Sequence, residues 1–285
     1  ALWALSTENQ ANKATIAKLG GVEPLVGLLV SGTTVKSQEY ATGALSSLAS
    51  KNAENRSAIA KRLVGLLNSR APERAVKVLH ALANLARGNN ANQMAIVKAG
   101  GVLPIIGWVS NSNEEAQREA AHAVLSMATN NATTQTLVAR CGGISPLIAL
   151  VASSPVLTQE YAARALWHLA SSHESQQLIL EAGGIPPLVA MLSAEGIHAA
   201  ELAALAIVRL ADNNPQVSEA ISNVGGIVPL VKLLGVGSAE AQQQAASAIA
   251  EIALVAQNRD AIAHAGGIPP LIALLSDRAE GTPEC

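Results

Sequence analysis

The stretch that decides the fold reads EAGGIPPLVAML, from Glu181 to Leu192. Ala-Gly-Gly is typical of the end of a helix, because glycine adopts the left-handed conformation that a Cβ penalises. Ile-Pro-Pro-Leu is typical of the start of the next helix, since proline is tolerated in the first turn, where its missing N–H has no helical partner. The stretch therefore predicts a helix, a sharp turn and a second helix.

The Gly-Gly pair of this stretch recurs with a nearly constant period. It stands at residues 20–21, 100–101, 142–143, 183–184, 225–226 and 266–267, so the last four steps are about 41 residues each and the first is about twice that. The missing pair falls within Ile59–Leu67, which reads like Leu25–Leu29 with the Gly-Gly and Pro deleted in front. Seven units therefore cover the chain.

A third helix is predicted in each unit, after a polar connection. Its apolar residues fall at helical spacing, as at Ala162, Ala165, Leu166 and Leu169. Because burying one leucine contributes roughly 1.5–3 kcal/mol, a single unit holds too few apolar residues to offset its own chain entropy. We therefore expect an all-α array in which each unit buries its apolar face against its neighbours.

This pattern resembles armadillo repeats, as where Ala81–Ala86 is followed by Asn92, Ile96, Ala99–Gly101 and Pro104. The resemblance covers all 285 residues and implies a right-handed α-solenoid, or superhelix, of about seven three-helix repeats. HEAT repeats, which are usually two-helix units without this turn, are the alternative. Residues 1–285 are expected to form a single solenoid with incomplete first and last repeats, as a fragment of a longer array.

Composition argues against several classes of function. The formal net charge is −2 and no run of Lys and Arg stands out, so no nucleic-acid partner is predicted. No apolar run reaches the roughly 18 residues of a membrane span, so direct membrane insertion is not expected. The two cysteines cannot make a disulfide framework, which predicts a reducing compartment, the cytoplasm or the nucleus, and no Cys/His spacing predicts a metal site. The Gly-Gly turns lack the preceding strand and the Gly-Lys-Ser/Thr of a phosphate loop, so no cofactor is expected.

The resemblance also implies where a partner binds, because third helices line a concave groove for extended peptides in armadillo proteins. In the importin-alpha branch, a column of Asn and a column of Trp on these helices hold the peptide. Here the Asn column keeps only Asn84 and the Trp column is empty, which disfavours a transport receptor for basic signals. The predicted groove residues are Tyr40, Lys77, His80, Asn84, Arg118, His122, Tyr161, Arg164, His168, Arg209 and Glu251.

Two interpretations of these polar residues remain open. Arginine favours bidentate contacts with carboxylates and phosphates, which predicts an acidic or phosphorylated segment as the partner. Alternatively, they are solvated side chains whose ion pairs contribute little. His80 and His122 lie on adjacent third helices but lack a Cys or carboxylate in their column, so they are interpreted as groove residues rather than metal ligands. Trp108, in a second helix, either packs between units or marks an outer contact surface.

The predicted function is therefore binding. No Ser/His/Asp or Cys/His set stands at a recognisable spacing, so the chain is not expected to be an enzyme. We expect a non-enzymatic scaffold or adaptor that holds a partner protein or extended peptide in the groove, without indication of the partner's identity. The alternatives are a structural subunit docked in a larger complex by its edge or convex face, and the disfavoured importin-alpha-like receptor.

Overall fold

The computed structural model describes residues 1–32, 34–69, 71–193 and 196–280, without the side chains of residues 197 and 276–280. All regular structure within these ranges is helical, as the sequence predicts. The helices are α1 Leu2–Ser6, α2 Gln10–Lys18, α3 Val22–Ser31, α4 Val35–Ala49, α5 Ala53–Leu66, α6 Pro72–Ala86, α7 Asn90–Lys98, α8 Val102–Val109, α9 Glu114–Ala128, α10 Ala132–Arg140, α11 Ile144–Ser153, α12 Val156–Leu169, α13 His173–Glu181, α14 Ile185–Leu192, α15 Ile197–Ala211, α16 Pro215–Asn223, α17 Ile227–Val236, α18 Ala239–Ala253, α19 Ala256–His264 and α20 Ile268–Glu280.

The helices follow the predicted order within a repeat, two short helices and then one long helix. After α1, the repeats are α2–α4, α5–α6, α7–α9, α10–α12, α13–α15, α16–α18 and α19–α20, which we number first to seventh. The third helices α4, α6, α9, α15 and α18 each have 15 residues, and α12 has 14. Three-helix repeats of this kind distinguish the fold from a two-helix array.

The chain forms two compact units, Ala1–Pro146 and Leu147–Cys285. In the first unit, α6 packs against both α4 and α9, and Leu48, Leu79 and Leu82 are almost fully buried. In the second unit, α15 packs against both α12 and α18 in the same manner. Within each unit the third helices therefore lie side by side, with their apolar faces inward.

The Gly-Gly turn of the fifth repeat has the predicted geometry. Gly183 has φ +74°, and its N–H donates to the carbonyl oxygen of Leu180 at 3.0 Å. The N–H of Gly184 donates to the carbonyl oxygen of Ile179 at 2.9 Å, which completes a Schellman motif. A Cβ on Gly184 would lie 2.6 Å from Cγ2 of Ile179, so the second glycine is required for space.

The second repeat lacks this turn, and its first and second helices are replaced by one continuous helix, α5. In the first and sixth repeats the corresponding helix pairs are bent by 79° and 85°. Trp108 of α8 packs against the end of α5, where its indole Nε1 donates to the carbonyl oxygen of Leu67 at 3.2 Å. Trp108 is 7% exposed, which confirms that it packs between repeats rather than marking an outer surface.

Buried polar side chains join neighbouring repeats, and these contacts were not predicted from the sequence. The Asn131 side chain caps α10 by accepting from the N–H of Thr134, and its amide donates to Oε1 of Gln93 at 2.8 Å. Gln93 Nε2 in turn donates to the carbonyl oxygens of Ser126 and Thr129, at 2.9 and 3.1 Å. These bonds satisfy the end of α9, where the last carbonyls of a helix have no partner of their own.

The second unit repeats this arrangement. Asn214 caps α16 at the N–H of Val217, and its amide donates to Oε1 of Gln176 at 3.1 Å. Gln176 donates to the carbonyl oxygens of Arg209 and Asp212 at the end of α15. One Gln–Asn pair thus fixes the register between two repeats in each unit.

Candidate partner-binding surface

The predicted groove residues lie on the third helices, and all except the buried His122 are half-buried or exposed. In α6, Ala75 and Leu79 are fully buried, Lys77 and Asn84 are half-buried, and His80 is exposed. The other predicted residues lie on the remaining third helices: Tyr40 on α4, Arg118 and His122 on α9, Tyr161, Arg164 and His168 on α12, Arg209 on α15, and Glu251 on α18.

In the first unit, three side chains meet between α6 and α9, and we call them the histidine–glutamate cluster: His80, Glu119 and His122. The Nδ1 atom of His80 lies 3.0 Å from Oε2 of Glu119, and Nδ1 of His122 lies 3.7 Å from the same oxygen. The two imidazole rings are 6.4 Å apart between centroids. One carboxylate oxygen therefore faces both histidines.

Glu119 of this cluster is largely enclosed, with 10% of its side chain exposed. Burial alone would raise the pKa of Glu119, but the side-chain hydrogen bonds from His122 and His80 hold that pKa well below its usual range. The other carboxylate oxygen, Oε1, lies 3.3 Å from both Nε and Nη2 of Arg118. Glu119 is therefore ionised near neutral pH and surrounded by donors.

Arg87, just beyond the end of α6, determines the proton position on His122. Its Nη2 atom lies 3.0 Å from Nε2 of His122. Because a guanidinium only donates hydrogen bonds, Nε2 must be the acceptor and carry no proton. The His122 N–H is therefore on Nδ1, which faces Glu119.

This cluster corrects one expectation. The sequence predicts His80 and His122 as a pair without a carboxylate beside them, whereas in the structure Glu119 lies between them. The i,i+3 spacing of Glu119 and His122 was the available signal, because such residues share a helix face. His122 is 7% exposed, so little of it faces solvent.

The other predicted residues of the first unit have mixed roles. Lys77 Nζ donates to the carbonyl oxygen of Val30 at 2.9 Å, and so satisfies the end of α3. Tyr40 is 56% exposed, and its ring lies 6.3 Å from the Trp3 ring between centroids. Asn84, the one residue that matches the Asn column, is half-buried. Lys77 therefore has a structural task, whereas Tyr40 offers an exposed aromatic face.

In the second unit, the residues that come together are Arg164, His168 and Arg209, which we call the arginine–histidine cluster. Burial and the charges of Arg164 and Arg209 lower the pKa of His168 from 6.5 to about 4. The His168 ring is also 4.3 Å from the Trp167 ring between centroids. His168 is therefore uncharged at neutral pH, within the electrostatic influence of two guanidinium groups.

The two arginines of this cluster are exposed. Within the part of the chain that the structure describes, neither has a carboxylate within salt-bridge distance. Tyr161 on α12 and Glu251 on α18 are half-buried. The cluster thus gathers three of the five residues that sequence analysis placed in this unit.

Known proteins share this architecture. Three stretches of the chain, residues 9–50, 130–171 and 213–254, match the Armadillo/beta-catenin-like repeat family. The crystal structure of an engineered protein, 34% identical, matches with a TM-score of 0.79 over 96% of this chain and 68% of that one. The chain belongs to the armadillo-repeat family.

Other solved structures resemble this armadillo chain. A second engineered protein is 33% identical, with a TM-score of 0.71 over 81% of this chain and 96% of its own. A designed armadillo repeat protein in complex with the peptide (KR)4 is 26% identical, with a TM-score of 0.69 over 80% of this chain and 98% of its own. None of the curated proteins is similar enough to this chain to count as a match.

The predicted armadillo fold is confirmed, and the HEAT alternative is not needed. The armadillo fold is typically a scaffold that binds proteins or peptides, as the designed relatives do. Within the described ranges, no single helix is long and apolar enough to cross a membrane. Three pairs of successive helices reach the required length and hydropathy when taken together, but each pair is bent by 79° or more.

Proposed function

We propose that this armadillo chain is a non-enzymatic scaffold that binds an acidic or phosphorylated segment of a partner protein through its arginine–histidine cluster. The observation that carries the proposal is the exposure of Arg164 and Arg209 on neighbouring third helices, without a carboxylate in salt-bridge distance among the described residues. Exposed guanidiniums of this kind are available for a ligand.

The chemistry of the cluster favours an anion. The planar guanidinium of arginine presents paired donors that match a carboxylate or phosphate, and its weak hydration keeps the desolvation cost low. His168, uncharged beside Arg164 and Arg209, adds no charge of its own to the cluster. A peptide lying across α12 and α15 could therefore place one anionic group against each arginine.

The designed relative that carries (KR)4 provides a contrast in charge. It has the same fold and binds a peptide of alternating lysine and arginine. In this chain the arginine–histidine cluster would repel such a peptide. We therefore infer that the fold is shared and the peptide charge is reversed.

The scaffold is proposed to act as an adaptor in the cytoplasm or the nucleus. Two cysteines in 285 residues, without a disulfide framework, support a reducing compartment. Holding a short acidic segment requires no further chemistry from the chain.

Fluorescence anisotropy with labelled peptides tests the proposal. One peptide carries alternating Glu and phosphoserine, and the other is (KR)4. The double variant Arg164→Glu, Arg209→Glu is expected to lose at least about tenfold in affinity for the acidic peptide, because a like charge replaces each contact. The matched control is Lys61→Glu, Lys232→Glu, which changes the net charge equally at exposed positions of α5 and α17. It should lose much less.

Three results would count against the proposal. Equal losses of affinity in the two double variants would mean that only the net charge of the chain matters. Unchanged affinity in the arginine variant, with its helical circular dichroism intact, would place the contact elsewhere. Tighter binding of (KR)4 than of the acidic peptide would reverse the charge of the partner.

The pH dependence gives a second readout. Because the pKa of His168 is about 4, this side chain stays neutral between pH 7.5 and 6.0, and it adds no positive charge to the cluster. The affinity for a Glu-only acidic peptide should therefore stay flat across this range. A clear rise on acidification would mean that His168 gains a proton in the complex.

A further inference from the structure

We propose that the histidine–glutamate cluster of the first unit is a binding site for a first-row divalent cation such as Zn²⁺, with Arg87 as a competitor for one of its ligands. The site does not depend on the proposed peptide function, since it lies on α6 and α9. Its three ligand atoms come from His80, Glu119 and His122, and all lie within 4.8 Å of one another.

The geometry is close to what a zinc site needs. Zn²⁺ binds imidazole nitrogen and carboxylate oxygen at about 2.0–2.2 Å in tetrahedral geometry, so neighbouring ligand atoms lie about 3.4 Å apart. The distances from Glu119 Oε2 to Nδ1 of His80 and of His122 are 3.0 and 3.7 Å, on either side of that value. Small side-chain rotations would therefore complete three positions of a tetrahedron.

The ligand chemistry also fits. Two imidazoles and one carboxylate form a set that Zn²⁺ and neighbouring transition metals share. Glu119 supplies a negative charge, and Arg118 holds its second oxygen from the outer side. Such an outer contact orients the carboxylate, as the second shell of a metal site does.

The cluster meets a cavity on the side formed by His80 and Glu119. His80 is exposed, and a cavity of about 320 Å³ borders the cluster. Its lining includes His80, Glu119, Lys77 and Glu39. A cation can therefore enter through this cavity and keep a water molecule, or an anionic group of a ligand, as its fourth ligand.

Arg87 gives the site a distinctive property. Its bond to Nε2 of His122 requires the proton on Nδ1, which is the atom that faces Glu119. A cation on Nδ1 moves the proton to Nε2, where it would face an Arg87 donor. Arg87 must then leave His122, so metal binding and the Arg87–His122 contact exclude each other.

The experiment uses the full chain, stripped with EDTA and titrated with ZnCl₂ by calorimetry, and with CoCl₂ by visible absorption. We expect one equivalent of Zn²⁺ and a Co²⁺ spectrum of tetrahedral type. His80→Ala and Glu119→Gln should each weaken Zn²⁺ binding at least about tenfold. His80 is exposed, so its variant should fold even if loss of the buried Glu119 charge disturbs folding, which circular dichroism will check.

Arg87→Ala is the variant that separates this site from a chance cluster. Because it removes the competitor for His122, it should tighten Zn²⁺ binding by about tenfold. A purely structural role for Arg87 would instead leave the affinity unchanged or weaken it. Either of those results would overturn the role assigned to Arg87.

The matched control lies on α15. His198 and Glu201 have the same i,i+3 spacing, and the same 3.7 Å from Nδ1 to Oε2, as His122 and Glu119. Among the described residues they belong to no three-ligand group. His198→Ala should leave Zn²⁺ binding unchanged. The proposal is wrong if wild type binds no Zn²⁺, or if His198→Ala weakens binding as much as His80→Ala does.

Discussion

The second and third repeats position equivalent third helices with different backbones in front of them. The third repeat uses two helices, α7 and α8, joined through Gly100 and Gly101, whereas the second uses the single helix α5. Both repeats nevertheless deliver a 15-residue third helix, and α6 of the second packs directly against α9 of the third. The Gly-Gly turn is therefore dispensable for placing a third helix.

Specific contacts take the place of the missing turn. The end of α5 is held by Trp108, which reaches back from α8 to the carbonyl oxygen of Leu67. In the third repeat, Gln93 bonds to the end of the neighbouring α9, while the equivalent position of the second repeat holds Arg56. The second and third repeats thus have third helices of the same length, while the first and second helices tolerate the deletion of the turn between them.

The largest expected effect comes from removing the side chain that joins the two repeats. Trp108→Ala should destabilise the chain by about 3–5 kcal/mol, since it empties a buried indole site. Trp108→Phe keeps part of the ring volume but loses the N–H, so it should cost less, with about 1–2 kcal/mol of its loss from the unpaired Leu67 carbonyl. Urea unfolding followed by circular dichroism measures both. Equal losses would mean that packing volume plays no part.

The next largest effect on stability compares Gln93 of the third repeat with Arg56, its equivalent in the second. Gln93→Ala should cost about 2–3 kcal/mol, because it removes the acceptor of the Asn131 amide and the donor to the carbonyls of Ser126 and Thr129. Arg56→Ala, at a half-buried position, should change the unfolding free energy by no more than about 0.5 kcal/mol. The same urea titrations apply. Comparable losses would show that the second repeat depends on Arg56 as the third depends on Gln93.

A smaller effect is expected at the turn itself. A Cβ on Gly101 would lie 2.7 Å from Cγ2 of Ile96 and 2.9 Å from Cγ2 of Val64. Gly101→Ala should therefore cost about 1–2 kcal/mol, through displacement of these side chains. The companion variant Val64→Ala, Gly101→Ala relieves the contact across repeats but not the one within α7. If the two substitutions add independently, Val64 does not contribute to the clash.

The smallest effect tests what the second helices still share. Gly65 in α5 and Gly107 in α8 are equivalent, and a Cβ on either meets nothing within 4 Å. Alanine at each should stabilise the chain by about 0.5 kcal/mol, because glycine is the poorer helix former. Thermal melts of the two variants should shift upward together. A shift in only one would mean that α5 and α8 differ in helical strain.

Much of this fold could be predicted from the sequence because its signals are local. The six Gly-Gly pairs each place their first glycine at φ between 74° and 81°, and the deletion in the second repeat was visible as missing letters. What the deletion does to the backbone was not visible. The loss of a stop signal and a proline removes every reason for the helix to end, and α5 simply continues.

The candidate site was predicted less completely, because its contacts cross between helices. The pattern placed His80 and His122 on neighbouring third helices, but the stagger of those helices decides that Glu119 comes between them. Arg87 was missed because it lies beyond the end of α6 and reaches His122 on the next helix. The partner-binding role of the arginine–histidine cluster stays a prediction.

The Gln–Asn pairs have a consequence for recombination. Asn131 caps the fourth repeat and donates to Gln93 of the third. Any repeat that replaces the third must therefore carry a glutamine at the position of Gln93 to accept from Asn131. The fifth repeat brings Gln176 to this role, so its segment 173–211 could replace segment 90–128 without loss of the pair. A segment from the second repeat would bring Arg56 instead. Shuffled libraries of these repeats should therefore be enriched for junctions that preserve the pair.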